Sequence, residues 1–113
     1  YTSMSRGAAP ITAFQTAGYT GVPAPDTAAL TVTHDISGDL STINRNGVAG
    51  VNGTYDKGAG NFGNYPMYFL ARAGTSAFFN GQLYSNVCLG REATADELTK
   101  TQAWVAEKTG VTL

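Results

Sequence analysis

His34-Asp35, with Asp39 four residues further on, is the one place in the chain where a histidine and carboxylates meet. A catalytic use would have Asp35 orient His34 as a general base. No Gly-x-Ser-x-Gly or comparable nucleophile motif accompanies the pair, so His34 reads as a structural residue at the end of a strand. Asp35, Ser37, Asp39, Asn44 and Asn46 also offer hard oxygens of the kind Ca²⁺ collects in sets of six to eight. Their spacing is not that of an EF-hand, and Asp-x-x-Gly-Asp is equally a turn closed by Asx hydrogen bonds. The turn is the expectation; Asp35 and Asp39 are the metal ligands of the alternative, and Ca²⁺ is the one ion it would bring. Sugar chemistry is better provided for. Glycans are held by aromatic faces together with Asn, Asp and backbone groups in loops. Residues 52–68 supply Tyr55, Asp56, Asn61, Phe62, Asn64, Tyr65 and Tyr68. The competing reading has these rings anchoring a long loop to the core. Gly58, Gly60 and Gly63 are not a dinucleotide fingerprint, because no strand precedes them and no helix follows.

These residues need a scaffold, and composition says which kind. Of 113 residues, 42% are hydrophobic and only 13% charged, with 14 Gly. Charge is about half the usual quarter, which suits an all-β domain with many turns. A length of 113 residues gives a single domain with one core. The net charge is −1 and the few basic residues are scattered, so nucleic acid is not an expected partner. No apolar run approaches the roughly 18 residues of a membrane helix, and the first residues lack the plan of a signal peptide. The first residue is Tyr1 rather than Met, as in a processed product or a part of something longer. Cys88 is alone, which rules out an internal disulfide, and its place in a strand pattern predicts a small buried hydrophobe.

Taken in order, residues 1–7 read as a strand, 11–15 as a short strand and 18–26 as a loop interrupted by Pro23 and Pro25. Residues 28–35 alternate and are rich in β-branched side chains, so they form a strand. Residues 36–39 make a turn, 40–45 the next strand, and Asn46-Gly47 a hairpin into 48–51. Residues 52–65 are a Gly- and Asn-rich loop, and 67–72 a strand of large side chains. Asn80-Gly81 is a second type I′ signal, after which Leu83, Ser85, Val87 and Leu89 share one face of a strand. Thr94 and Glu97 form a capping box, Lys108 complements the helix C-terminus, and Gly110 supplies the left-handed stop. Leu98, Thr101, Gln102 and Val105 share a face with Trp104 beside it. That face is weakly apolar, so the helix should lie on the surface.

Three pieces in this order resemble a known family: the Asn46-Gly47 hairpin, Gly63-Asn-Tyr-Pro-Met-Tyr-Phe-Leu-Ala-Arg72, and Phe79-Asn-Gly-Gln-Leu-Tyr84 followed by Thr94-Ala-Asp-Glu-Leu98. Together they resemble the second half of the concanavalin A-like (laminin G-like) lectin/glucanase domain, in the form found at the C-termini of phage and prophage tail and virion proteins. The resemblance implies an antiparallel jelly-roll β-sandwich with one C-terminal surface α-helix. It covers residues 36–113, with weaker agreement at 1–7. Domains of this kind are about half again as long, so it implies an incomplete sandwich, one whose first strands belong to a longer chain or to neighbouring chains. Glucanases of the fold carry Glu-x-Asp-x-x-Glu on one strand. That motif is missing here, and Glu92, Glu97 and Glu107 lie in or beside the helix, so the expected role is not enzymatic. Two expectations follow from the resemblance. One is a virion structural or adhesion module on a tail or head surface, held by other virion chains in an oligomeric assembly. The other is a lectin module that binds a host surface glycan through residues 52–68.

Overall fold

A computed structural model describes residues 1–3, 5, 17–62, 66, 68–69, 71, 74–76 and 78–113. Its best-built part is a meander of three antiparallel strands: β3 (Leu30–Asp35), β4 (Leu40–Arg45) and β5 (Val48–Ala49). The order is β3-β4-β5, and Val32 lies opposite Ile43 and His34 opposite Ser41. The sequence dictates both corners. Asn46 and Gly47 take φ of 50° and 77°, the two left-handed values a type I′ turn requires. The Asn46 side-chain oxygen also accepts from the Ala29 amide at 2.9 Å, while the Asn46 amide donates to Ala29 O, which extends the hairpin beyond its last ladder pair. At the other end the Asp35 carboxylate accepts from Ser37 Oγ and the Gly38 amide at 2.8 and 2.9 Å. This is an Asx-type turn.

A second layer starts at the N-terminus. There β1 (Thr2–Ser3) pairs antiparallel with β2 (Ala17–Gly18). Gly18 and Val51 exchange both amide–carbonyl bonds at 2.8 Å, so pairing passes from the meander into this hairpin. Gly50 is required at the join: a Cβ there would run into Gly18 O and crowd Ile43. The hairpin folds back over the face of β3 and β4 that carries Ile43, Ser41 and His34. Among the described residues the buried apolar side chains are Ala17, Ala29, Ile36 and Ile43.

The helix α1 (Ala95–Thr109) has the caps its sequence specifies. Thr94 Oγ accepts from the Glu97 amide, Glu97 Oε2 accepts from the Thr94 amide at 2.9 Å, and Gly110 sits at φ 71° with its amide on Ala106 O. It lies on the surface, with no fully buried residue. Leu98, Thr101, Gln102 and Val105 are its half-buried side, and Gln102 Nε2 donates to Thr31 Oγ1 of β3 at 2.9 Å.

Other expectations need correction. Ala17–Gly18, assigned partly to a loop, is a strand. The strand expected at residues 83–89 is irregular, and neither Asn80 nor Gly81 has positive φ. A strand exists through its ladder, and among the described residues nothing pairs with this stretch. Instead the Phe79 ring lies over Gly81, where a Cβ would not fit. Cys88, expected inside, is exposed for the same reason. The short strand expected at 11–15 lies outside the described residues, as do positions 67, 70 and 72 of the one expected at 67–72, whose described positions 68, 69 and 71 are not in a strand.

Candidate functional site

The loop that follows β5 is fixed from beneath by Lys57, one of only two polar side chains in the buried set among the described residues. Its ammonium donates to three backbone carbonyls, Asp39 O at 2.9 Å, Tyr55 O at 3.1 Å and Gly53 O at 3.2 Å. Its amide donates to Asp39 Oδ1 at 2.8 Å. Three carbonyl dipoles satisfy the three ammonium protons, which is what a buried cation without a carboxylate partner needs. Residues 53–57 are thereby tied to the turn between β3 and β4. A further Asx bond, from the Gly58 amide to Asp56 Oδ1 at 2.7 Å, shapes the next bend. One basic residue in a Gly-rich loop of a chain so poor in charge was the available signal for this anchor.

On that base the aromatic residues face outward. Tyr55 is 52% exposed and Phe62 58%, and Asp56 and Asn61, their neighbours in sequence, are exposed as well. Tyr68 is also exposed. Asn64 and Tyr65 lie outside the described residues. Lys57 anchors the loop from beneath, and Phe62, though more than half exposed, also meets the His34 ring of β3 edge-on.

The Asp35 carboxylate is engaged within its turn by Ser37 and Gly38, and that of Asp39 accepts from the Lys57 amide, 18 residues on. Among the described residues no group of three or more His, Cys, Asp or Glu side chains converges. The Asp35 carboxyl sits below its ordinary range, chiefly through the Gly38 amide and then the Ser37 hydroxyl.

His34 and Asp35 are not a pair. Adjacent strand residues point to opposite faces, and His34 turns towards the N-terminal hairpin. Its Nδ1 lies 2.9 Å from Ser41 Oγ and its Nε2 2.9 Å from Ser3 Oγ, while Ser41 Oγ is 3.1 Å from Ser5 Oγ. A neutral imidazole has one donor and one acceptor, which suits a position between two hydroxyls. Burial, and then the Lys57 charge, hold the His34 pKa below its ordinary value. The Phe62 ring meets it edge-on at 6.3 Å between centroids. The cluster links β1 to β3 and β4 with hydrogen bonds and brings no carboxylate to the imidazole.

A second polar link secures the same hairpin. Asp26 accepts from Arg45 through both carboxylate oxygens, at 2.5 and 3.1 Å, and from the Tyr1 hydroxyl at 2.8 Å. Arg45 and then Tyr1 lower the Asp26 pKa. The Arg45 guanidinium stands 6.0 Å above the Tyr19 ring.

No family model, curated protein or solved structure matches this chain.

Proposed function

We propose that this chain is a non-catalytic structural and adhesion module of a virion, a concanavalin A-like jelly-roll segment held in place by other chains of the particle. The placement in a virion follows from the resemblance of the hairpin, Phe79–Tyr84 and Thr94–Leu98 motifs. The observation that carries the assembly reading is the set of large apolar side chains left in solvent: Leu30, Val32, Phe69, Phe78, Phe79, Leu83, Tyr84 and Trp104 are each more than two-fifths exposed, and apolar surface that a fold leaves open supports a role in binding other chains.

Light scattering together with intact mass spectrometry tests the reading. The expected result is an oligomer of this chain or its uptake into a complex with a second virion polypeptide. A folded chain that stays monomeric at high concentration and takes up no virion protein would sink it.

Glycan binding is a second reading, supported by the exposure of Tyr55 and Phe62 on a loop pinned by Lys57. A ring standing in solvent beside Asp and Asn can stack on a sugar face. A glycan array with Tyr55→Ala and Phe62→Ala as controls decides it.

A further inference from the structure

We propose that residues 83–89 form the self-pairing strand of a two-fold dimer, lying antiparallel to the same segment of a second copy with Asn86 on the symmetry axis. The inference rests on the assembly reading and names its partner and register.

Leu83, Ser85, Val87 and Leu89 alternate with Tyr84, Asn86 and Cys88 as strand residues do, yet among the described residues no ladder takes them up. The consequence is exposed apolar surface on both sides of the segment: Leu83, Tyr84, Val87 and Leu89 are about half exposed or more. A strand-forming sequence with free backbone groups is a template for another strand. What selects a second copy as the occupant is charge and symmetry. Residues 78–90 contain no Asp, Glu, Lys or Arg, so the segment lacks the charged residues that natural edges use against self-pairing. Antiparallel pairing of identical segments is what a two-fold axis generates. With Asn86 opposite its own copy, Leu83 faces Leu89 and Ser85 faces Val87, so the apolar face of one strand continues into the other. Trp104 of α1, which borders an open concavity of about 310 Å³ with Val87, Lys100 and Thr101, then lies next to the joined strands and adds to the contact.

The test is site-directed crosslinking of the full chain with Cys88→Ser as background. Directly opposed residues of an antiparallel pair have Cα separations within disulfide range. Asn86→Cys is therefore expected to give a covalent dimer on mild oxidation, while Tyr84→Cys, about four residues out of register with its copy, is not. Val87→Lys, at a half-exposed position, should raise the dimer dissociation constant by at least about tenfold through like charges on one face. A chain that is monomeric by light scattering overturns the proposal, and so does a dimer that crosslinks equally at 84 and 86. If the monomeric chain still enters a complex with another virion protein, the self-pairing falls while the assembly reading stands.

Discussion

Lys57 shows how much one side chain does in a fold with a core this small. Its ammonium gathers Asp39 O, Gly53 O and Tyr55 O, so the loop and the turn between β3 and β4 share a single buried charge. Lys57→Met keeps most of the stem volume and removes the three donors. Gly53 O keeps the Ser41 amide at 2.8 Å, while Asp39 O and Tyr55 O lose the ammonium in part-buried surroundings, so we expect a loss of about 1–3 kcal/mol in urea unfolding. A midpoint matching the parent would show that the cage contributes nothing to stability. The residue scale is also where sequence reading was weakest. His34 reads from its spacing as a structural residue at a strand end, but its partners, Ser3 and Ser41, could not be read there. Long-range partners of this kind leave no local trace in a sequence. The His34 link does carry a sign. Its pKa is lowered on folding, so its contribution is present above the ordinary histidine value and is lost as pH falls from there through the folded value.

At the scale of elements, legibility followed locality. The Asn46-Gly47 hairpin and the capped helix were readable because the residues that decide them are a few positions apart, and both stand where the sequence puts them. Residues 83–89 carry an equally clear alternation, but a strand needs a partner, and among the described residues none pairs with this segment. The helix makes the complementary point: its caps are complete, yet it buries no side chain fully, so local terms bear an unusual share of its stability. Thr94→Ala removes the Oγ that receives the Glu97 amide and should cost about 1 kcal/mol of helix stability, read as lost helicity in far-UV circular dichroism rather than as a large shift in global unfolding. The same cap has an acid limit. Arg91, then the Thr94 amide, lower the Glu97 pKa from 4.5 to about 2. This support is therefore fully present above 4.5 and is lost as pH falls through about 2. Helicity that declines with a midpoint near 4.5 would show that the Arg91–Glu97 pair does not persist in solution.

For the whole molecule, the decisive relation is between what the fold buries and what it leaves in water. Among the described residues the buried apolar set, Ala17, Ala29, Ile36 and Ile43, holds no aromatic ring, while Phe78 is 72% exposed and Phe79, Tyr84 and Trp104 are also open to solvent. Under the proposed assembly, covering these side chains adds to the stability that the fold has alone. Mass action then makes the melting temperature rise with protein concentration. Phe78→Ser separates the two contributions. In an isolated monomer a substitution at so exposed a site changes stability by no more than about 0.5 kcal/mol. If Phe78 is an aromatic anchor of an interface, the same change weakens association by about 2 kcal/mol or more. We therefore expect the variant to match the parent at the lowest measurable concentrations in scanning calorimetry and to fall behind it as concentration rises. A melting temperature that is independent of concentration in both proteins would mean that this surface is stable in water as it stands.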